Sequence, residues 1–364
     1  MKGFERLPGW ARLAALAVSG VGLGLAVLAF VWLTPAKALP PREVTLQAVR
    51  VPLSESAPEA IMAGRLRFVD GVALSADDPG FGGLSALRVR SVDGARQIVG
   101  VTDSGESFVG ALRLAGGRIA GVGPLRMAPL SDLRGRAIAG KRWGDSESLT
   151  ELPGGRWLVG FERRHRLWSY AASFDGPAQA LDSPEGLERA PANGGLEAIA
   201  SWPDGRVVAL SEQLAEADGG RTGFLLDDSR WRRFEWRTSG PGFNPSDATV
   251  LPNGDLLVLE RRWSVGAPLT LRCRLLRAPR AALRAGTATQ GELLAEFSDP
   301  FVSENFEGVA SFEDPSRPGA VQILLISDDN FSPAQRTLLL WLELPAPPGL
   351  ADEAPRRPIR PRNA

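Results

Sequence analysis

Carboxylates recur in pairs along this sequence, and a cluster of such side chains could bind a hard cation or transfer protons. Each first acid lies in a short cluster that contains small residues and leads into a strand, and each second acid ends an apolar run. Near Ser85 the first acid is missing, and Asp103 alone remains as the second. The complete pairs are Glu147 with Glu162, Glu197 with Glu212, Asp247 with Glu260, and Glu307 with Asp328 or Asp329. Converging like charges raise one another's pKa, so cations, arginines or protons must balance them.

Oxygen-only ligands favour Ca²⁺, with Mg²⁺ or Mn²⁺ as alternatives. The single histidine, His165, and the single cysteine, Cys273, exclude multi-His and Cys-rich zinc sites. Arg163 and Arg261 directly follow second acids and suit a phosphate or carboxylate substrate. We assign the metal to Glu147, Glu197, Asp247, Glu307 and Asp103. We assign catalysis, as further ligand or base, to Glu162, Glu212, Glu260, Asp328 and Asp329.

The elements that carry these acids recur with a period of about 50 residues, which is typical of propellers and solenoids. Each unit has a first strand, which bears an acid in all units but the first, then a hairpin turn such as Pro203-Asp204-Gly205, and a second strand that ends in an acid. Further strands complete the unit, as in a propeller blade. We therefore predict an all-β propeller with five four-stranded blades, or six if the N-terminal stretch supplies another. Ring closure would pair Val44 to Val51, or Leu66 to Ala73, with Arg336 to Leu344.

The N-terminus carries basic residues before an uncharged apolar run, Leu13 to Leu33. Such a run is long enough for a hydrophobic helix to cross a hydrocarbon core about 30 Å thick. We predict a signal peptide or signal anchor over residues 1–38, with a cleavage site after Ala38. The rest would be exported to the periplasmic face of the inner membrane, or would be periplasmic or secreted after cleavage. The propeller domain is predicted over 44–345, followed by a disordered Pro/Arg-rich tail over 346–364.

The overall charge restricts the expected partners. Acidic and basic residues balance at 42 each, so no net field attracts nucleic acid. The expected partners are a small phosphorylated or ester substrate, and the membrane through the N-terminal segment. The sequence does not identify a protein partner.

The sequence resembles the phytase-like family, whose domain is named for an esterase-like activity of phytase. The resemblance extends from about Leu66 to Leu344. It implies that the recurrent acids act on phosphate esters or diesters. This chain departs from the family at Ser104, where a basic residue is usual. The similar segments are Phe81 to Leu87, Asp103 to Gly105, Asp145 to Leu149, Asn193 to Ala198, Glu304 to Gly308 and Ser327 to Phe331.

Three functional hypotheses follow. The first is a metal-dependent hydrolase of phosphate mono- or diesters. The second is a non-catalytic scaffold or ligand-binding module of the cell envelope, in which the acids cap blades through hydrogen bonds. The third is a Ca²⁺-dependent lactonase or carboxylesterase, which would prefer uncharged esters. Because propellers support unrelated functions, the fold alone does not choose among them.

Overall fold

The computed structural model describes residues 38–264 and 270–346, which form five β-sheets arranged as propeller blades. The prediction of an all-β propeller is confirmed, with five blades. The apolar run Leu13 to Leu33 and the tail from residue 347 lie outside the described residues. No helix within the described ranges is both long and apolar enough to span a bilayer.

The strands are numbered in chain order. Four precede the first motif-bearing unit: β1 (Arg42–Val44), β2 (Gln47–Arg50), β3 (Met62–Ala63) and β4 (Leu66–Ser75). The first blade is built on β5 (Leu84–Val92), β6 (Ala95–Thr102), β7 (Glu106–Ala115), β8 (Arg118–Val122) and β9 (Leu125–Pro129). After the short helix α1 (Lys141–Gly144), the second blade has β10 (Ser146–Leu152), β11 (Arg156–Phe161), β12 (Arg166–Tyr170) and β13 (Gln179–Leu181).

The remaining blades follow the same plan. The third has β14 (Leu196–Ser201), β15 (Val207–Ala215), β16 (Arg221–Asp227) and β17 (Arg230–Arg237). The fourth has β18 (Asn244–Val250), β19 (Leu256–Ser264), β20 (Thr270–Ala278) and β22 (Glu292–Phe297). Between these last two strands, β21 (Ala288–Gln290) returns to pair in parallel with β17. The fifth blade has β23 (Asn305–Glu313), β24 (Val321–Asp328) and β25 (Thr337–Leu344). Single 3₁₀ turns form at Leu187–Arg189 and Arg280–Ala282.

The first strand of every blade lines the centre of the ring. These inner strands are β5, β10, β14, β18 and β23, and each contacts the inner strands of both neighbouring blades. Each one continues through a hairpin into the second strand of its blade. Gly205 and Gly254 sit in two of these turns with φ of 91° and 89°, a left-handed conformation that favours glycine.

Apolar packing between adjacent blades holds the ring together. The buried apolar residues form five clusters, and each cluster joins two neighbouring blades. Trp236 and Val258, for example, share the cluster between the third and fourth blades. The core is therefore distributed around the ring, and the channel walls are left to polar side chains.

The ring closes by pairing strands from the two ends of the domain. Strand β4 pairs antiparallel with β25, with Leu74 opposite Thr337 and Gly71 opposite Leu340. Strand β2 adds outside β4. The prediction that Leu66 to Ala73 pairs with Arg336 to Leu344 is confirmed. Strand β1 instead joins β9 at the outer edge of the first blade.

An ion pair crosses the channel between Arg88 on β5 and Asp247 on β18. The guanidinium donates from Nη1 to Oδ2 at 2.8 Å and from Nη2 to Oδ1 at 2.9 Å. It also donates to the backbone carbonyls of Ile199, Ala248 and Val309, so it ties the first blade to the third, fourth and fifth. Burial raises the pKa of the Asp247 carboxyl, and Arg88 opposes that effect. This pair spans the channel and connects blades that are not neighbours.

Replacing Arg88 with Ala is expected to lower the free energy of unfolding by about 3–5 kcal/mol, because Asp247 would keep a buried charge without its partner. Urea unfolding measures this loss. The matched control is Arg126→Ala, which breaks the exposed ion pair with Asp175 and should cost about 1 kcal/mol or less. Equal losses in the two variants would contradict a structural role for the channel pair.

Candidate functional site

Each inner strand has a one-residue bulge at the same place in its pairing with the second strand. In β14, for example, Leu196 pairs with Ser211 and Ala198 with Leu210, which leaves Glu197 unpaired between them. A bulge of this kind changes the direction of one side chain. The bulged residues are Ser85, Glu147, Glu197, Ser246 and Glu307. Three acids and two serines therefore occupy equivalent positions around the channel.

A second equivalent set lies on the second strand of each blade. In each case one residue of that strand pairs with the residue just before the bulge, and the next residue in sequence belongs to the set. In the third blade this partner is Ser211, so the next residue is Glu212. In the fourth blade the partner is Glu260, so the next residue is Arg261. The complete set is Asp103, Glu162, Glu212, Arg261 and Asp328. Four acids and one arginine thus stand beside the bulged residues.

Two groups of carboxylates are close enough to share a cation. Within each group, one oxygen per residue lies within 4.8 Å of the others. The axial cluster contains Glu147, Glu197 and Glu307 from three blades, and the lateral cluster contains Asp145, Glu147 and Glu162 from one blade. All five residues are buried. Oxygen ligands of one Ca²⁺ ion, at 2.3–2.6 Å from it, are separated by at most about 5 Å.

Arg261 neutralises one side of this set. It contacts Glu307 through Nη1, and its Nη2 lies 3.4 Å from Glu197 and 3.5 Å from Glu212. Burial lowers the pKa of the guanidinium, but these acids outweigh that effect and hold the pKa well above its ordinary value. The arginine at the position of the fifth acid therefore contacts acids of the third and fifth blades.

Two more basic side chains bind acids at the same end of the channel. Lys141 Nζ lies 2.5 Å from Asp103, and Arg163 Nε lies 2.5 Å from Asp145. Lys141 comes from α1, just before Asp145, and Arg163 from the turn after Glu162. Both are partly exposed. In the described part of the chain, three basic groups thus face eight carboxyl groups: Asp103, Asp145, Glu147, Glu162, Glu197, Glu212, Glu307 and Asp328.

Burial among like charges shifts the proton affinity of these acids. It raises the pKa of Glu162 to about 7, although the amides of Gly194 and Gly195 donate to that carboxylate. It raises the pKa of Asp328 to about 8, with Glu307 adding to the effect. The pKa values of Glu147 and Glu197 are held well above the ordinary range by burial and by neighbouring acids. The site therefore holds protons at neutral pH when no other cation balances it.

The donor set fits a hard divalent cation. Every candidate ligand is a carboxylate, the type of group that Ca²⁺ and Mg²⁺ prefer. Oδ1 of Asp103 is buried and has no hydrogen-bond partner among the described residues. Within the same residues, the side chain of Glu147 accepts no hydrogen bond and forms no ion pair, and burial, with the surrounding acids adding to it, raises its pKa. These two carboxylates have unused acceptor capacity.

Glycines allow the backbone to come close to two of the acids. Gly83 precedes β5 with φ of 62°, and a Cβ there would collide with Oδ1 of Asp103. Gly195 precedes β14, and its amide donates to Glu162. Gly83 and Gly195 therefore permit close contacts between the backbone and the acids of the site.

The structure brings together most of the residues predicted to form the site, but three lie elsewhere. Asp247, predicted as a metal ligand, has its oxygens bound by Arg88 and by the amides of Ala248 and Val309. Glu260, predicted as catalytic, accepts from Trp236 Nε1 at 2.7 Å and from Ser239.

The physical reason for both corrections is register. The bulge places Ser246 at the position of Glu197, and Arg261 at that of Glu212. Asp247 and Glu260 are each one residue away, and one residue reverses the face of a strand.

Two further assignments change. Asp329, also predicted as catalytic, is half-buried, accepts hydrogen bonds from the Phe331 amide and the Thr337 hydroxyl, and belongs to neither cluster. Arg261 was predicted to hold phosphate, but its guanidinium is engaged by three acids. Arg163 lies at the site as predicted, bound to Asp145.

Sequence reasoning missed three residues. Asp145 stands two positions before Glu147 in a motif that was recognised, and its acidic side chain was the available signal. Arg88 and Lys141 carry no local signal, because their partners, Asp247 and Asp103, lie 159 and 38 positions away in the sequence.

The raised pKa values predict that, in EDTA, the protein becomes less stable as pH rises from 5 to 8. The ordinary pKa of Glu162 is 4.5 and its folded value is about 7. Between these values the folded state binds more protons than the unfolded state, so raising the pH favours unfolding. The effect of Glu162 alone is about 3 kcal/mol. Urea unfolding at several pH values measures the slope, and Glu162→Gln should flatten it. A flat or rising profile for the wild type would contradict the raised values.

Arg261→Gln is expected to destabilise the protein by about 3–5 kcal/mol at pH 8, because it leaves buried acids without their counter-charge. At pH 5 the loss should be smaller, since Glu197, whose pKa is raised by burial and by neighbouring acids, binds a proton instead. The neighbouring Arg262→Gln is the control, because Arg262 bonds only to Ser264 among the described residues and should change stability by about 0.5 kcal/mol or less. A cost for Arg261→Gln that does not depend on pH would contradict the electrostatic account.

Comparison with solved structures finds proteins of low similarity. An α-L-arabinofuranosidase from Podospora anserina is 11% identical with a TM-score of 0.46, covering 83% of this chain and 98% of that one. A calcium-binding regucalcin from Agrobacterium tumefaciens is 14% identical with a TM-score of 0.41, covering 86% and 93%. A mannose phosphorylase from Leishmania mexicana is 7% identical with a TM-score of 0.43, covering 73% and 85%. These similarities carry no argument about activity.

Comparison with family models is more informative. No curated protein matches the chain. The model of the Phytase-like family, described as esterase-like activity of phytase, matches residues 79–331. This range includes every inner strand of the propeller and all the acids of both clusters. Because the match covers more than half of the sequence, the chain belongs to the Phytase-like family.

Proposed function

We propose that this chain is a hydrolase of phosphate mono- or diesters that depends on a divalent cation, with Ca²⁺ as the first candidate and Mg²⁺ or Mn²⁺ as alternatives. The observation that carries the proposal is the axial cluster, in which Glu147, Glu197 and Glu307 from three blades converge within 4.8 Å. Such a cluster is unfavourable unless protons or cations balance it. The family's description as esterase-like supports hydrolysis.

The ligands of the cation would be the axial acids, with Asp145 and Glu162 beside them. When bound, a divalent cation polarises a phosphoryl oxygen and lowers the pKa of water. Without a cation the pKa of Glu162 is about 7, so its carboxyl releases its proton readily at neutral pH to become a ligand. Asp328, with a pKa of about 8, is suited to hold a proton and donate it to a leaving group.

Two basic residues at the mouth of the channel are suited to hold the anionic substrate. Lys141 and Arg163 keep 50% and 27% of their side-chain surfaces exposed, whereas Arg261 keeps 13%. Lys141 and Arg163 can therefore turn from Asp103 and Asp145 toward a phosphate. Arg261 would remain bound to the acids and reduce their mutual repulsion.

Export belongs to the same proposal. The signal peptide or signal anchor predicted over residues 1–38 would direct the propeller across the membrane and either anchor it there or be removed. In a compartment outside the cytoplasm, calcium is abundant enough for a site of modest affinity.

Calorimetric titration of the purified protein with Ca²⁺, alongside its melting temperature, tests the proposal. We expect binding that raises the melting temperature and weakens in Glu197→Gln, because that variant removes one axial ligand. Glu260→Gln is the matched control, since Glu260 is an equally buried acid outside both clusters and its substitution should leave binding unchanged. Absence of binding for calcium, magnesium and manganese would contradict the proposal.

The charge of the site favours one rival, a cation-dependent lactonase or carboxylesterase. Eight carboxyl groups against three bases repel a phosphate, whereas they do not repel an uncharged ester. Turnover of p-nitrophenyl phosphate, bis-p-nitrophenyl phosphate and a simple lactone in Ca²⁺ distinguishes these reactions. Phosphate-ester turnover that EGTA abolishes supports the proposal, and turnover of the lactone alone favours the rival. If no ester is hydrolysed while acid substitutions alter only stability, the chain is a non-catalytic module.

A further inference from the structure

Glu147 is the only residue that belongs to both carboxylate clusters. It projects from the bulge of β10, between the axial acids of the third and fifth blades and the lateral acids of its own blade. A carboxylate has two oxygens and about four lone-pair sites, so it can serve two cations at once. The position of Glu147 therefore joins two candidate cation positions.

The arginines of the site bind other acids directly, and neither forms an ion pair with this shared carboxylate. Arg261 binds Glu197 and Glu307 in the axial cluster, and Arg163 binds Asp145 in the lateral cluster. Within the described ranges, Glu147 has neither an ion pair nor a hydrogen bond, although only 9% of its surface is exposed. An unpaired carboxylate in such a position is costly. A cation on each side would satisfy it.

We propose that Glu147 bridges two divalent cations, one in the axial cluster and one in the lateral cluster, and that the substrate is a phosphate ester whose oxygens face both. This inference rests on the proposed function and narrows its substrate class. Paired cations suit phosphoryl transfer, because they stabilise the attacking and the leaving oxygen together. A lactone would need only one.

Each cluster also has ligands of its own. Glu197 and Glu307 belong only to the axial cluster, and Asp145 and Glu162 only to the lateral cluster. Substitution can therefore remove one cation position, the other, or both. Because the clusters can be removed separately, an experiment can distinguish sharing of Glu147 by two cations from binding of a cation in either cluster.

Equilibrium dialysis against Mn²⁺, with metal analysis and electron paramagnetic resonance, counts the ions and detects coupling between them. The wild type should bind two ions with an exchange-coupled signal. Glu307→Gln and Glu162→Gln should each retain one ion with an uncoupled signal, and Glu147→Gln should lose both. The control Glu260→Gln should behave as wild type. In EDTA at pH 8 the cluster variants should melt no lower than wild type, because each removes a charge from a repulsive set.

Several results would overturn the bridge. One ion in the wild type would refute it while leaving the proposed function intact, whereas no ion would refute both. Two ions without coupling, or two ions retained in Glu147→Gln, would show that the carboxylate is not shared. If Glu147→Gln melts below wild type in EDTA, the variant Glu147→Asp is used in its place. Two coupled ions in Glu147→Asp would also refute the bridge, since the shorter side chain cannot reach both clusters.

Discussion

Crowding of like charges around one axis is the constraint on which the rest of the site depends. Five inner strands pack side by side, and a bulge at the same place in each directs one side chain toward the channel. Three of those side chains are glutamates, so their repulsion is built into the repeat. Three features reduce this repulsion: Arg261 in place of a fifth acid, the protons held at raised pKa values, and the proposed cations.

The scaffold resists that repulsion through contacts outside the acid clusters. Apolar clusters between neighbouring blades and the pairing of β4 with β25 close the ring. The pair between Arg88 and Asp247 joins blades across the channel. Because these contacts hold the backbone, the acids cannot relax apart, and their electrostatic energy is available for binding a cation. The contacts that close the ring thus lie outside the two acid clusters.

Much of this architecture could be predicted from the sequence, because turns, strand composition and period are local signals. The closing strand was recoverable for the same reason. The site residues of the fourth blade are wrongly predicted because its acids, Asp247 and Glu260, were matched to the acids of the other blades. The bulge instead places Ser246 and Arg261 at the equivalent positions. A bulge leaves no mark in the sequence, and an error of one residue reverses the face of a strand. Arg88 was missed because its partner is distant in sequence, 159 positions away.

Anomalous diffraction from crystals soaked in Mn²⁺ tests the central claim most directly, namely that the converging carboxylates bind divalent cations. The account predicts a strong anomalous peak within bonding distance of Glu147, Glu197 and Glu307, and none in crystals washed with EDTA. A channel without a peak, with the three glutamates instead hydrogen-bonded to one another through retained protons, would contradict it. The acids would then be a structural feature of the repeat, and the hydrolase proposal would lose its basis.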